Sequence, residues 1–230
     1  MGWIERLVNG AIRVLTGLVC RVDEEQLKRV PWHGPLIIVA NHINFIETPL
    51  VFVRLRPRPV TGFAKAEWWR NAFVRRLFDM WGAIPLRRGE GDVEAFRQAL
   101  KALEDGKIMV LAPEGTRSGT GRLKRGQPGV ALLALHSGAP ILPLGFYGYE
   151  NVWQNMRRLR RTDFRAAIGR PFRVRPVQGR VTPEIRQAIS DQVMVQIALL
   201  LPEYYRGEYA DSSRASTSHL EFLPPADAGG

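Results

Sequence analysis

The segment 41–47, Asn-His-Ile-Asn-Phe-Ile-Glu, places an imidazole five residues before a carboxylate. A carboxylate bonded to one ring nitrogen of a histidine fixes the tautomer and leaves the other nitrogen free to take a proton. If His42 and Glu47 meet in the folded chain, they can act together as a general base. The alternative is that His42 is a structural residue that only completes a hydrogen bond near the end of a strand.

Two further clusters carry charge in positions that suit an anionic ligand. Arg87 and Arg88 directly follow the short apolar segment 82–86, and guanidinium groups bind phosphate through paired, charge-assisted hydrogen bonds. In the segment 112–118, Ala-Pro-Glu-Gly-Thr-Arg-Ser, a carboxylate precedes a guanidinium by three residues around a glycine. The alternatives are solvated surface charge for the two arginines and a charged turn for the second cluster.

The elements around these clusters determine whether they meet. The apolar, β-branched run 36–40 predicts a buried strand, and Thr48 followed by Pro49 predicts a helix N-cap and the first helical residue. His42 and Glu47 then lie in a strand-to-helix connection, where the chain can fold the carboxylate onto the imidazole. In one continuous helix, residues five apart point about 140° away from each other.

Strand-like and helical segments alternate along the rest of the chain. This alternation predicts an α/β fold with a mostly parallel central sheet flanked by helices. The predicted strands are 36–40, 82–86, 107–112, 141–146 and 166–173, and the predicted helices are 49–55, 92–104, 127–137 and 183–201. Because the carboxyl ends of parallel strands share one edge of the sheet, we expect the three charged clusters to converge there. A base beside two anion-binding groups suits a transferase with a phosphorylated acceptor.

Composition narrows the possible partners. The net charge of +11 over 230 residues favours nucleic acid, an anionic membrane or a phosphorylated substrate as partner, but no nucleic-acid motif accompanies the charge. Cys20 is the single cysteine, so no intrachain disulfide can form. The four histidines have no metal-ligand spacing, and the sequence lacks the Gly-x-Ser-x-Gly motif of a nucleophilic serine. We therefore expect neither a metal site nor a covalent acyl-enzyme.

Residues 1–22 predict an amphipathic helix at the N-terminus. Its apolar stripe comprises Ile4, Leu7, Val8, Ala11, Leu15, Leu18 and Val22, with Trp3 at one end. Such a helix lies in a membrane interface or packs on its own domain, and the basic charge favours the membrane. No uncharged run approaches the roughly 20 residues of a membrane span, so we expect a peripheral protein of the cytoplasm. Residues 23–210 then form the main domain, and the polar, proline-containing residues 211–230 predict a disordered tail.

Five segments together resemble the glycerolipid acyltransferase family, closest to the 1-acyl-sn-glycerol-3-phosphate acyltransferases. The segment 41–47 resembles the family's first motif, and Pro-Leu-Arg-Arg at 85–88 resembles the second. The third motif, usually Phe-Pro-Glu-Gly-Thr-Arg-Ser, is similar to 112–118, and 139–144 resembles the fourth; Ala-Lys-Ala-Glu at 64–67 also fits. The chain departs from the family at Glu47, where Asp is usual, and at Arg87, where many members have Asp.

This resemblance implies transfer of a fatty acyl group to lysophosphatidic acid, giving phosphatidic acid. The implied catalytic residues are His42 and Glu47, and the implied substrate-binding residues are Lys65, Arg88, Glu114, Gly115, Thr116 and Arg117. The donor would be a thioester of coenzyme A or acyl carrier protein, with no bound cofactor, and the protein would lie on the cytoplasmic face of the cell membrane. The alternatives are another acceptor, such as glycerol 3-phosphate or a different lysolipid, and a non-catalytic lipid-binding relative.

Overall fold

The structure, a computed structural model, describes residues 2–87, 91–211 and 216–224. Arg88 lies outside these residues, so its predicted role in phosphate binding stays a prediction. The helices are α1 (Trp3–Val19), α2 (Glu24–Leu27), α3 (Glu47–Arg54), α4 (Ala72–Trp81), α5 (Val93–Glu104), α6 (Gly129–Ser137), α7 (Val152–Arg157) and α8 (Pro183–Ala198), with 3-10 helices at Ala66–Arg70 and Glu203–Tyr209. The strands are β1 (Cys20–Val22), β2 (Leu36–Ala40), β3 (Val60–Lys65), β4 (Ile84–Leu86), β5 (Ile108–Leu111), β6 (Ile141–Tyr147), β7 (Thr162–Ile168), β8 (Phe172–Val174) and β9 (Leu220–Phe222).

The strands form one sheet, mostly parallel and flanked by helices, as the alternation of elements predicted. Its order is β1-β7-β6-β2-β5-β3-β4, with β8 pairing with β6 and β9 pairing with β8. The run from β6 through β2, β5 and β3 to β4 is parallel throughout. The carboxyl ends of these strands therefore lie at one edge of the sheet, where ligands bind in open α/β folds.

Strand β2 lies at the centre of the sheet and is buried along its whole length. Successive side chains of a strand point to opposite faces, so Ile38 and Ala40 join one core with α3, whereas Ile37 and Val39 join a second core with α5, α6 and α8. Two apolar layers thus fix the strand that leads directly into His42.

Helix α3 begins at Glu47 rather than at Pro49, and Ile46 rather than Thr48 occupies its N-cap position. The prediction of Thr48 as the cap is wrong because Glu47 itself receives the backbone N–H groups of the preceding turn. Pro49 is still tolerated in the first helical turn, where backbone N–H groups have no partner within the helix. Glu47 is therefore held at the first position of a rigid helix.

The structure differs in three places from the predicted strands and the predicted tail. Strand β3 was not predicted, because Gly62 interrupts its apolar pattern; a Cβ at that position would lie 2.7 Å from the carbonyl oxygen of Val110. The predicted strand 166–173 is two strands, β7 and β8. The predicted disordered tail contains β9, which pairs with β8 and buries Leu220. Residues 212–215 and 225–230 of that tail lie outside the described residues.

The apolar stripe of α1 points away from the domain. Trp3, Leu7 and Leu18 are 74%, 65% and 66% exposed, whereas Asn9 and Thr16 on the opposite side are 6% and 8% exposed. Asn9 accepts a hydrogen bond from the Trp81 indole at 2.9 Å, so polar contacts fasten the inner face. The stripe therefore faces the opposite way from that of a terminal helix that packs its apolar side chains on its own domain.

The C-terminal end of α1 continues directly into β1, so residues 20–22 belong to the sheet rather than to the predicted helix. Arg161 donates to the carbonyl oxygens of Gly17 and Cys20 at 2.7 and 3.0 Å. A cation at a helix C-terminus stabilises its unpaired carbonyl groups. Arg161, from the basic run 157–161, therefore fixes the end of α1. No described helix is both long and apolar enough to span a membrane.

Candidate active site

His42, in the connection after β2, meets Glu47, the first residue of α3; the sequence analysis had placed both residues in the connection. The Nδ1 atom of His42 is hydrogen-bonded to the Oε1 atom of Glu47. Because an ionised carboxylate only accepts hydrogen bonds, Nδ1 carries the proton and Nε2 keeps a free lone pair. The imidazole is partly exposed and the carboxylate is buried, so the reactive nitrogen is accessible while the residue that orients it is fixed.

The Glu47 carboxylate is held by four donors. Its Oε1 atom also accepts the backbone N–H of Ile43 at 3.0 Å, and its Oε2 atom accepts the N–H of Asn44 at 3.2 Å. The hydroxyl of Tyr149 completes the set by donating to Oε2. These contacts show that a glutamate, one methylene longer than the usual aspartate, is accommodated by the turn and by a buried phenol.

Tyr149 was not predicted as a site residue. Its side chain is fully buried, and this burial, together with the neighbouring Glu47 carboxylate, raises the pKa of Tyr149 well above its usual range. The phenol therefore keeps its proton and stays a donor. It lies just beyond the end of β6, at the same sheet edge as His42. Its position after a predicted strand was the one feature of the sequence that could have identified it as a site residue.

We predict that Tyr149→Phe lowers kcat of the expected reaction about tenfold, because a hydrogen bond to a charged group contributes roughly 1.5–3 kcal/mol. The substrate KM should change little, since the Tyr149 side chain is fully buried against Glu47. Tyr147→Phe is the matched control, as its ring packs against Tyr205. An unchanged kcat in a folded Tyr149→Phe variant would contradict this positioning role.

Glu114 connects the loop after β5 to the turn that carries His42. One of its oxygens accepts the backbone N–H of His42 at 2.9 Å, and the other accepts the N–H of Lys124 at 2.9 Å. Burial raises the pKa of the Glu114 carboxyl, although these two backbone donors act in the opposite direction. The Glu114 carboxylate therefore bonds the backbone of both loops and holds them together.

Backbone hydrogen bonds reinforce this junction of loops. The N–H of Ser118 donates to the carbonyl oxygen of His42 at 2.7 Å. On the other side, the Asn41 side chain pairs with both backbone groups of Phe146 in β6, at 2.7 and 2.8 Å. His42 is thus fixed by neighbours on both sides of β2, which suits a catalytic group that must not reorganise during reaction.

The described residues among those predicted to bind substrate lie around this sheet edge. Thr116 and Arg117 are exposed on the loop after β5, and Lys65 ends β3 as the register partner of Leu86. Lys65 forms an ion pair with Glu67 at 3.2 Å. The N–H of Gly115 donates to the carbonyl oxygen of Ala112 at 3.0 Å.

A cavity of about 160 Å³ opens beside the imidazole. The residues that line it include His42, Glu47 and Gly115. Its other walls are apolar and come mainly from the side chains of Val51, Phe52, Phe63, Phe78, Trp81 and Leu86. A slot of this kind fits a hydrocarbon chain with a reactive carbonyl at the end nearest His42.

The groups of this site suit proton transfer beside an apolar cavity. Cys20 is buried in β1, and burial raises the pKa of its thiol, which removes it as a candidate nucleophile. Within the described ranges, no group of three His, Cys, Asp or Glu residues is placed to hold a metal ion. The arrangement therefore provides a base without a protein nucleophile among the residues that surround it, which suits a substrate already activated for attack.

Comparisons with known proteins agree with this geometry. Residues 21–147 match the family model described as Acyltransferase. The 1-acyl-sn-glycerol-3-phosphate acyltransferase of Borreliella burgdorferi is 29% identical over 126 residues, which are 54% of this chain and 50% of that protein. The enzyme of the same name from Limnanthes alba is 28% identical over 176 residues, 74% of this chain and 55% of that protein. The chain thus spans about half the length of these relatives.

A solved structure shows the same fold. The crystal structure of the 1-acyl-sn-glycerophosphate (LPA) acyltransferase PlsC from Thermotoga maritima superposes with a TM-score of 0.58 and 23% sequence identity. The match covers 82% of this chain and 77% of that chain. At this level of identity the match shows the fold alone and does not carry over the roles of individual residues.

Proposed function

Because this chain belongs to the acyltransferase family, we propose that it transfers a fatty acyl group from a thioester to the free hydroxyl of lysophosphatidic acid, forming phosphatidic acid. The observation that carries the proposal is the free Nε2 atom of a glutamate-bound His42 at the mouth of an apolar cavity. The names of the relatives support the acceptor, and the site geometry supports the reaction type.

The reaction follows from the position of the proton. As the acceptor hydroxyl oxygen attacks the thioester carbonyl carbon, Nε2 of His42 removes the hydroxyl proton, which is the role of a general base. The resulting tetrahedral intermediate expels the thiolate, and the carbonyl forms again as an ester. The thiolate takes the proton from Nε2, so His42 returns to its starting state while Glu47 stabilises the transient imidazolium.

The apolar cavity provides a place for the acyl chain. Each buried methylene contributes about 0.8 kcal/mol, so the aromatic walls would hold the donor with its carbonyl next to His42. Binding both reactants in a fixed geometry supplies a large part of the rate enhancement in bimolecular reactions. The donor in this proposal is a thioester of coenzyme A or acyl carrier protein, since either presents the same reacting atoms.

The acceptor phosphate would lie among the cations at the sheet edge. Arg117 on the loop after β5 and Lys65 at the end of β3 are exposed there, and Arg88 follows β4 in the sequence. A guanidinium can bind phosphate with two parallel hydrogen bonds. Glu114 contributes indirectly, by fixing the loop that carries Arg117.

We predict that Arg117→Ala raises the KM for lysophosphatidic acid about tenfold, because one charge-assisted hydrogen bond contributes roughly 1.5–3 kcal/mol. The KM for monoacylglycerol, which has no phosphate, should stay within about twofold. Arg125→Ala is the matched control, since Arg125 is exposed in the same loop. Steady-state kinetics with both acceptors make the comparison.

Equal effects of Arg117→Ala on both acceptors would contradict the phosphate assignment, as would an equal effect of Arg125→Ala. The same assay, extended to glycerol 3-phosphate and lysophosphatidylcholine, tests the proposed acceptor. Lysophosphatidic acid should have the highest kcat/KM of the four. A higher kcat/KM for one of the other three compounds would identify that compound as the preferred acceptor.

The outward stripe of α1 supports a peripheral position on a membrane, in this proposal the cytoplasmic face of the cell membrane. An interfacial helix buries its apolar face about 5–10 Å into the boundary between headgroups and acyl chains. The Trp81 wall of the cavity is bonded to Asn9 on the inner face of α1. The helix would therefore hold the acyl cavity close to the layer that contains the lipid acceptor.

A further inference from the structure

A second cavity, of about 150 Å³, lies between α1, α2 and the C-terminal end of α3. In the described part of the chain it is lined by one carboxylate, that of Glu24, and by five cationic side chains. These cations are Arg13, Lys28, Arg54, Arg56 and Arg58. Such an excess of positive charge around a concave site favours an anion.

Two of the arginines are fixed in place. Arg58 is buried and donates to the carbonyl oxygens of Pro31 and Gly34, and to that of Gly106 at 3.2 Å. Arg54 donates to Glu24 at 3.1 Å and to the Thr16 hydroxyl at 3.0 Å. Their positive charges are therefore held at the cavity wall at no further entropic cost when a ligand binds.

The positive charge of this cavity is only partly compensated. Burial lowers the pKa of Arg54 and of Arg58, because each guanidinium has lost water around its charge. Arg56 pairs with Glu5 at 2.8 Å, but its buried Nε atom has no hydrogen-bond partner. Arg13 and Lys28 are exposed and pair with Glu24 and Glu25, each at 2.5 Å. A bound anion would compensate this charge.

The cavity is separate from the catalytic site. Glu47 is the first residue of α3 and Arg54 is the last, so a rise of 1.5 Å per residue places them about 10 Å apart along the helix axis. The cavity is therefore at the opposite end of α3 from His42. The acceptor phosphate of the proposed reaction cannot reach both places at once.

The cavity also borders α1. Arg13 belongs to α1 and lies towards the side opposite its apolar stripe, since its helical position is about 140° from that of Leu18. When the stripe of an interfacial helix is immersed, the rest of the helix lies at or above the level of the lipid headgroups. The half-exposed indole of Trp32 lines the same cavity, and tryptophan favours that level of a bilayer.

We propose that this cavity binds the phosphate group of an anionic lipid in the membrane on which α1 lies, as an anchoring site distinct from the acceptor site. The phosphate oxygens would accept hydrogen bonds from Arg13, Lys28 and Arg56. They would share Arg13 with Glu24, which bonds it in the free protein. This inference rests on the proposed membrane position of α1.

The test compares vesicle binding of full-length wild type with that of Arg13→Gln/Lys28→Gln. Arg21→Gln/Arg29→Gln is the matched control, because it removes the same charge from neighbouring exposed positions outside the cavity. Co-sedimentation is measured on phosphatidylcholine vesicles with and without phosphatidylglycerol. On the mixed vesicles we expect the cavity variant to bind about tenfold more weakly than wild type and the control less than about threefold.

On pure phosphatidylcholine all three proteins should bind alike, since only α1 acts there. Equal losses for both double variants on mixed vesicles would overturn the cavity site and leave only diffuse attraction. Calorimetric binding of inorganic phosphate that needs Arg13 and Lys28, with no change in vesicle binding, would replace the lipid by a free anion. Failure of wild type on pure phosphatidylcholine would contradict the position of α1, independently of the difference between the variants.

Discussion

Replacement of His42 by alanine is expected to lower kcat for acyl transfer by about 10²–10⁴-fold, the usual contribution of a general base. The variant removes the only group of the described site that has a free nitrogen lone pair beside the apolar cavity. The KM for lysophosphatidic acid should change by less than about threefold, because general-base assistance acts on the transition state and not on phosphate binding. Initial rates of phosphatidic acid formation provide the measurement.

His136→Ala is the control for this prediction. His136 is exposed on α6, where its Nδ1 atom lies 2.8 Å from the carbonyl oxygen of Leu132, and its loss should leave kcat unchanged. Thermal unfolding of both variants establishes that they are folded. A folded His42→Ala protein that transfers acyl groups at the rate of wild type would show that another group takes the proton.

Introducing charge into the apolar stripe of α1 should release the protein from vesicles. Leu7→Glu/Leu18→Glu removes two exposed leucines, each contributing roughly 1.5–3 kcal/mol when buried in an apolar environment. At 1.4 kcal/mol per factor of ten, phosphatidylcholine vesicle affinity should fall by about 10²–10⁴-fold. The unfolding midpoint should stay close to that of wild type, because neither side chain packs on the domain.

Val93→Glu/Leu199→Glu is the matched control for the α1 variant. Both residues are exposed and apolar, and they belong to α5 and to the end of α8, which pack on the other core of the sheet. This control adds the same charge, yet its vesicle binding should stay within about threefold of wild type. If the α1 variant binds vesicles as well as the control does, the stripe is not the membrane-binding face.

The parts of the site that depend on short stretches of chain were predictable. His42 and Glu47 are five residues apart, and one strand-to-helix turn is enough to join them. Arg117 was placed at the correct sheet edge because an apolar strand directly precedes its loop. Local pattern and the geometry of parallel strands are sufficient for such features.

Contacts between distant segments were not predictable. Tyr149 reaches Glu47 from 102 residues away along the chain, and nothing in the sequence pairs these two side chains. Glu114 stands three residues before Arg117 in the sequence but bonds the backbone N–H of His42, 72 residues away. Both cases depend on strand order, which brings β5 and β6 to either side of β2.

The sequence also did not determine whether the apolar stripe of α1 faces the domain or faces outward. The helical pattern of residues 3–22 is the same whether its apolar face packs on the domain or faces outward. The structure distinguishes these cases through the inner face, where Asn9 and Thr16 find polar partners in Trp81 and Arg54. A hydrophobic pattern thus identifies an amphipathic helix but not the surface that covers it.

The most direct test is the reaction of wild-type protein with lysophosphatidic acid and a mixture of acyl thioesters. The masses of the lipid products and the released thiol are measured together. We predict phosphatidic acid carrying one added acyl chain, with one free thiol released for each ester formed. Thiol release without phosphatidic acid, or no release at all, would contradict acyl transfer to this lipid by the His42–Glu47 pair.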